Sequence, residues 1–317
     1  MRVKLLFVLV LVLGFFTAGS AIAQDINFSQ FNTSSLYVNP AFAGTSGDCR
    51  ASLIYRDEWP NISSGYQTAY FSYDQPVAFL KGGLGFNFYN DVEGGNLRTD
   101  VGNLMYSALI PVLKDQFAIR PAIGFGYGQS YLNTANLTWD NQWNGFSYAG
   151  TVPVLKPSVG YFNVMAGLLI YGKGFYAGAS FDHLNTPNES FYTGTTDYLN
   201  TRQTYIFGYT FGHDSSSKFS VTPNCMFVKQ GAASELLAGL TAKYRYFLLG
   251  FAYRVNDAVI FEAGFQNRFL RIAYSFDYTI SNLTEANSGG AQEVSLTCWL
   301  HYKNAKKLPI TLSPPAF

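Results

Sequence analysis

Charged residues recur within runs of alternating apolar residues, and this pattern is the first in the sequence that could support chemistry. On a strand, such residues would line one face with groups able to form a conduit, a binding chamber or an acid–base site. The alternation predicts ten of them on the polar face: Arg56, Asp74, Arg120, Asp182, Lys243, Arg254, Glu262, Arg271, Asp277 and Glu293. Their mixed signs favour mutual pairing in a hydrated interior over ion selectivity or catalysis.

The histidines and cysteines are too scattered to indicate a catalytic or metal site. No Ser-His-Asp order, no HExxH motif and no Gly-x-Ser-x-Gly elbow accompanies them. Three cysteines are an odd set without metal-ligand spacing, and two of them fall on apolar strand faces as small fillers. These residues are His183, His213, His301, Cys49, Cys225 and Cys298. The sequence therefore predicts a protein that is not an enzyme and has no cofactor or metal.

Two long connections between predicted strands are rich in aromatic residues. Exposed aromatic side chains often anchor a protein partner, although they can equally fold over the mouth of their own domain. The candidate partner-binding residues are Trp139, Trp143, Phe146 and Tyr148 in residues 129–158, and Phe191, Tyr192 and Tyr198 in residues 184–202.

The N-terminus indicates export. Arg2 and Lys4 precede an apolar run from Leu5 to Phe16, and small residues end at Ala23, so residues 1–23 are predicted to be a cleaved signal peptide. Charged residues make up 13% of the chain, against roughly 25% in ordinary soluble domains. Aromatic residues make up 17%, which suits strands that face lipid. Neither the near-neutral charge nor export favours a nucleic-acid partner.

The elements that would position these residues are β-strands. Between Val259 and Tyr278, for example, every second residue is apolar or aromatic in two runs separated by Asn267 and Arg268. Alternation alone allows a soluble sandwich or a membrane barrel. Fourteen such runs are predicted, near 49–56, 66–74, 82–90, 99–110, 117–128, 159–171, 174–183, 203–211, 218–228, 235–244, 247–255, 258–266, 269–278 and 292–303.

Connection length favours the barrel. The long connections all follow odd-numbered strands, which is typical of outer-membrane barrels with short periplasmic turns and long external loops. The expectation is an all-β, antiparallel transmembrane β-barrel over residues 49–303, in the outer membrane of a Gram-negative bacterium, with both termini periplasmic. Residues 24–48 form a periplasmic or lumen-plugging segment, and residues 304–317 form a tail that is a disordered end or a docking peptide.

Two prolines conflict with this array. Pro121 and Pro223 lie inside predicted strands, where each removes a ladder hydrogen bond. Bulges are predicted at both positions to accommodate them.

Blocks near both ends of the chain resemble the PorP/SprF family of membrane proteins. These blocks are Gln30-Phe31, Asn39-Pro40-Ala41-Phe42-Ala43-Gly44, Tyr55-Arg56-Asp57-Glu58-Trp59, and Tyr274 to Thr279 with Ser288-Gly289 and Glu293. Glu58 stands where the family usually has Gln, and Gly290-Ala291-Gln292 replaces a more typical Ser-His before Glu293.

The resemblance implies an outer-membrane protein of the type IX secretion system. Its partners would be outer-membrane lipid, other components of that system, and a large secreted surface adhesin, including gliding adhesins, recognised through its C-terminal sorting domain. Two alternatives stay open on the residues themselves. One is a FadL-like channel for uptake of apolar ligands, and the other is a structural barrel that anchors periplasmic ring lipoproteins.

Overall fold

The computed structural model describes residues 25–62, 65–134, 155–212, 217–281 and 288–300. Across these residues, no helix is both long and apolar enough to cross a membrane. Almost all of the described chain is antiparallel sheet, preceded by one segment with a short α-helix, Ser35–Val38, and a 3-10 turn, Pro40–Phe42. A second 3-10 turn, Ala78–Leu80, connects two strands.

Alternation of apolar and polar residues gives each strand two unlike faces. The strands are β1 Cys49–Glu58, β2 Tyr66–Val77, β3 Gly82–Glu93, β4 Leu97–Ala108, β5 Ile110–Val112, β6 Phe117–Leu132, β7 Ser158–Gly172, β8 Phe175–Asp182, β9 Arg202–Tyr209, β10 Phe219–Gln230, β11 Ala233–Tyr244, β12 Phe247–Arg254, β13 Ala258–Gln266, β14 Leu270–Thr279 and β15 Ala291–Leu300. Each strand pairs antiparallel with its neighbours in sequence, except that β4 and β5 do not pair with each other, and β1 pairs with β15.

The sheet closes on itself because β4 also pairs with β6. β4 and β5 pair with β6 in one continuous register, so they are two pieces of one barrel strand. The described strands therefore form a closed barrel of fourteen positions, as predicted. Closure gives every strand a hydrogen-bonded neighbour on both sides, which a lipid environment requires.

The predicted bulges are absent, and that expectation was wrong. Pro121 stands opposite Leu168 of β7 in an unbroken register, and the interruption between β4 and β5 falls directly across from it. Pro223 keeps its register with Leu240 of β11, while pairing with β9 stops at Asn224 and returns only as a single bridge, Phe211 to Val221. Each proline is accommodated by a local gap in one ladder, without an inserted residue.

The two faces of the barrel differ sharply. Large apolar side chains such as Leu104, Phe125 and Phe162 are 60–73% exposed on the outside, where lipid would cover them. Polar side chains such as Ser107, Arg120 and Glu293 are fully buried on the inside. The outward face is therefore suited to hydrocarbon and the inward face to polar partners.

The two ends of the barrel also differ. One end, called here the short-turn end, has the connections 78–81, 113–116, 173–174, 210–218, 245–246 and 267–269. The other, the long-loop end, has the connections 59–65, 94–96, 133–157, 183–201, 231–232, 255–257 and 280–290. Both ends of the strand array, Cys49 and Leu300, lie at the short-turn end. The long connections thus share one end, as their position in the sequence predicted.

Candidate functional site: the inner segment and the long-loop end

Residues 25–48, called here the inner segment, run through the barrel from the long-loop end to the short-turn end. Asp25 bonds to His183, just after β8 at the long-loop end, and Gly44 bonds to Asp74 near the opposite end of β2. Every residue from Phe28 to Thr45 is buried. The lumen is occupied by protein along its length.

The block Asn39 to Gly44 binds the barrel wall through its backbone and one amide side chain. Asn39 Nδ2 donates to the carbonyl oxygens of Leu168 in β7 and Ala179 in β8, both at 3.1 Å. Its Oδ1 accepts from the Ala41 N–H at 2.9 Å, which caps the 3-10 turn that Pro40 begins. One side chain therefore joins two strands and starts the turn.

Small residues at the end of this block allow the inner segment to touch the wall. Gly44 has φ +71°, and a Cβ there would lie 2.6 Å from the Cα of Gly83 in β3. The Ala43 carbonyl accepts from Arg120 Nη2 at 2.5 Å and from Ser107 Oγ at 2.7 Å. A larger residue at either position would push the segment off the strands.

A cluster of buried charges holds the first part of the inner segment. Arg56 of β1 lies 3.2 Å from Asp277 of β14 and 3.4 Å from Glu293 of β15, and Arg254 of β12 also lies 3.2 Å from Asp277. Ser29 Oγ is at the centre, donating to Asp277 at 2.6 Å and accepting from Arg56 Nη1 at 2.7 Å. Four strands and the inner segment thus share one ionic network.

Gln30 and Glu293 form the second contact of this network. The backbone N–H groups of Ser29 and Gln30 donate to the two carboxylate oxygens of Glu293 at 2.9 and 3.0 Å. The Gln30 amide donates to the Glu293 carbonyl at 3.0 Å and accepts from Ser295 Oγ at 2.5 Å. A buried carboxylate with two backbone donors and a guanidinium is well satisfied despite its burial.

The first described residue of the inner segment forms an ion pair at the long-loop end. Asp25 Oδ2 lies 2.8 Å from His183 Nε2 and accepts from Gln230 at 3.1 Å. Although burial opposes the charged forms of both groups, each charge favours the other, so the pKa of Asp25 is lowered and that of His183 is raised. The Arg202 guanidinium stacks on Tyr37 at 4.7 Å and supports the same corner.

The space left beside the inner segment is small. Three cavities next to it have volumes of about 20, 10 and 20 Å³. Such volumes hold one or two waters each, far below the 300 Å³ or more of an ordinary ligand pocket. In this conformation none of the three could admit an apolar ligand.

The structure brings together part of the predicted aromatic surface. Tyr192 forms a bridge with Leu155 of the preceding long loop, and the Lys156 N–H donates to the Phe191 carbonyl at 2.8 Å. Tyr192 and Tyr198 are 44% and 59% exposed, whereas Phe191 is half-buried. Trp139, Trp143, Phe146 and Tyr148 lie outside the described residues.

The ten charges predicted for the polar face do lie inward, in a lumen that the inner segment fills. Arg56, Arg120 and Glu293 bind the inner segment directly. Sequence reasoning missed this convergence, along with Ser29 and the Asp25–His183 pair. The available signal was that the family-like blocks at Gln30, Arg56 and Glu293 each carry a polar residue suited to a buried partner.

Comparison with known proteins gives one match that covers most of the chain. A family model described as "Type IX secretion system membrane protein PorP/SprF" matches residues 20–298. A search of curated proteins gives no significant match.

Comparison with solved structures gives matches of low sequence identity. The CymD monoaromatic hydrocarbon channel is 12% identical, with a TM-score of 0.48, covering 89% of this chain and 95% of its own. The P. putida toluene transporter TodX is 10% identical, with a TM-score of 0.48 and coverages of 85% and 94%. The outer membrane protein Omp33 of Acinetobacter baumannii is 7% identical, with a TM-score of 0.45 and coverages of 81% and 100%.

Proposed function

Because the chain belongs to the PorP/SprF family of type IX secretion system membrane proteins, it is an integral outer-membrane component of that system, and we propose that it holds a secreted surface adhesin. The adhesin binds through its C-terminal sorting domain at the long-loop end. The inner segment is a fixed part of the barrel that supports this end from within. The loops face the cell exterior and the short turns face the periplasm.

The observation that supports the proposal most strongly is the pairing of two aromatic loops at one end of a filled barrel. The bridge between Leu155 and Tyr192 joins the loops, and Tyr192 and Tyr198 expose rings beside it. A preorganised surface with exposed aromatic rings loses little conformational entropy on binding a protein. Trp139, Trp143, Phe146 and Tyr148 are proposed to extend this surface.

Deletion of the gene tests the proposal as a whole. Surface display of the adhesin, measured with an antibody on intact cells, is expected to be lost, and restored by the wild-type gene. Normal secretion and display in the deletion strain would refute the proposed function.

Replacement of the loop tyrosines tests the binding surface. The Tyr192→Ser/Tyr198→Ser variant is expected to reduce display at least tenfold, because two exposed aromatic anchors are removed. The matched control is Tyr244→Ser/Tyr246→Ser, which changes two tyrosines that are 53% and 55% exposed at the short-turn end. Equal display by the two variants would refute a site at the long-loop end.

Two other functions predict different experimental results. A FadL-like channel would show flux of apolar ligands into liposomes, which the filling of the lumen by the inner segment argues against. A barrel that only anchors periplasmic ring lipoproteins would crosslink to them from the short turns and not to an adhesin from the loops. Either result, with no adhesin crosslink from residues 183–201, would replace the proposed function.

A further inference from the structure

Every connection at the short-turn end of the described chain carries an exposed basic residue. These residues are Lys81, Lys114, Lys173, Lys218, Arg245 and Arg268. The one acidic residue in the described parts of these connections is Asp115. Because consecutive turns follow one another around a closed barrel, the basic side chains are distributed around its circumference.

The long-loop end lacks this excess of basic residues. Its described connections carry one lysine, Lys156, against three carboxylates at Glu189, Asp197 and Asp257. The charge difference therefore lies between the two sets of connections, while the formal net charge of the full chain is only +1.

Three of the basic side chains lie against aromatic rings. The Lys173 ammonium lies 5.9 Å from the ring centroid of Phe117, and the guanidinium groups of Arg245 and Arg268 lie 5.7 and 5.8 Å from Tyr244 and Phe269. Tyr244 and Phe269 are 53% and 58% exposed. Aromatic residues at barrel ends lie at the depth of the lipid headgroups, so these cations are held at the same depth.

We propose that this ring of basic residues binds the phosphate groups of anionic phospholipids in the leaflet at the short-turn end. A circumferential arrangement suits an annulus of lipids better than one protein partner, which would cover only part of the rim. Each basic side chain near an anionic membrane surface is attracted to the negative charge of the lipid headgroups. The ring thereby fixes the depth of the barrel in that leaflet.

The test measures which lipid the full-length protein prefers at its boundary. Wild-type protein is reconstituted in phosphatidylcholine vesicles that contain a trace of spin-labelled phosphatidylglycerol or spin-labelled phosphatidylcholine, and the motionally restricted fraction of each is compared. Phosphatidylglycerol is expected to associate roughly fivefold more strongly at low salt, and the preference is expected to shrink in molar salt.

Neutralising the three basic residues that lie against aromatic rings tests whether they cause the lipid preference. Lys173→Asn/Arg245→Asn/Arg268→Gln is expected to bring the ratio close to one; Asn suits the left-handed backbone at Lys173 and Arg245, where φ is +52° and +54°. The control Arg98→Gln/Lys156→Gln/Lys229→Gln removes the same charge from positions at or near the long-loop end and is expected to keep the preference. Folding of each variant is checked by its heat-dependent mobility on gels.

Three results would overturn the inference. Equal association of the two lipids with wild-type protein would mean that the ring does not select anionic phospholipids, whatever the variants do. Equal loss in both triple variants would assign the preference to overall charge. Competition by inorganic phosphate at millimolar concentration would indicate a free-anion site instead of a lipid site.

Discussion

The two halves of the inner segment are held inside the same barrel by different interactions. Residues 25–34 meet a dense ionic network, in which Arg56, Asp277 and Glu293 surround Ser29 and Gln30. Residues 35–45 pack mainly on apolar side chains, with Leu36 and Phe42 in one cluster with methionines, aliphatic residues and tyrosines of the wall. Polar contacts exist there too, from Asn39 to two wall carbonyls and from Arg120 and Asp74 to the backbone of Ala43 and Gly44.

Because of this difference, the two halves are expected to respond to different perturbations. Ion pairs respond to pH and to the loss of either partner, whereas apolar packing responds to volume. The half of the segment near the long-loop end is therefore expected to depend more strongly on charge than the other half, where Arg120 and Asp74 bind the backbone of Ala43 and Gly44. Changes in the other half are expected to act through cavities and lost backbone bonds.

The largest expected effect comes from removing Arg56. Arg56→Met leaves Asp277 and Glu293 buried with one guanidinium fewer and is expected to lower the free energy of unfolding by about 5 kcal/mol. Urea unfolding in lipid vesicles measures the loss, and hydrogen exchange is expected to increase first in residues 25–34. The control Arg98→Met breaks a surface pair whose arginine side chain is 59% exposed, and should change stability by less than about 0.5 kcal/mol.

Truncation of Phe42 tests the packing of residues 35–45. Phe42 is 1% exposed, and Phe42→Ala is expected to cost about 3 kcal/mol because the closed wall cannot collapse into the cavity. Hydrogen exchange should now increase in residues 35–45 and not around Ser29. Faster exchange over both halves in both variants would show that the segment is one cooperative unit, and the contrast between the halves would fail.

Loss of the Asn39 side chain is expected to have an intermediate effect. Asn39→Ala removes bonds to β7 and β8 and the cap of the 3-10 turn, at a cost of about 2 kcal/mol. Asn39→Asp serves as the comparison, because it keeps the acceptor for the Ala41 N–H and loses both donors to the wall. A stability equal to that of the wild type for Asn39→Asp would mean that only the cap matters.

The smallest expected effect is the pH dependence at the long-loop end. His183 has a pKa above its ordinary value of 6.5, so its pair with Asp25 stabilises the fold fully below that pH and less as pH rises through the raised pKa. The lowered pKa of Asp25 means that the same pair is lost only in acid, below its ordinary value of 3.8. The stability that this pair contributes is therefore expected to decline from about pH 6.5 upward.

The variant His183→Gln identifies the source of this decline. Glu189 also titrates near this range, because burial and the nearby Asp25 raise its pKa to about 7. Its ionisation as pH rises also lowers the stability of the fold. His183→Gln should therefore reduce the slope between pH 6 and 8, and Glu189→Gln in addition should reduce it further. If the pH dependence of stability were unchanged in the double variant, His183 and Glu189 would be excluded as its source.

The strand array could be predicted closely because its signal is local. Residues such as Ile272 and Tyr274 alternate with Arg271 and Ala273, and that period is enough to assign the two faces of β14. The two prolines show where a local pattern is insufficient. From sequence, Pro121 predicts a bulge, but whether a lost donor shifts the register or merely leaves a gap depends on both neighbouring strands.

The contents of the barrel could not be predicted in the same way. Gln30, Arg56 and Glu293 stand far apart in the chain, and no periodicity relates them. Their meeting depends on barrel closure, which brings β1 beside β15, and on the path of the inner segment past that seam. The sequence identified these residues as family-like, but it did not indicate that they bind one another.

The sequence by itself determined the barrel, its two faces and the end that carries the long loops, because each follows from alternation and connection length along one stretch of chain. The tertiary structure decided that the inward charges bind a buried segment instead of water. Pairing between Ser29 and Asp277, or between Asp25 and His183, joins residues more than 150 positions apart. Such contacts exist only once the sheet has closed, since closure sets which inward side chains share the same small volume.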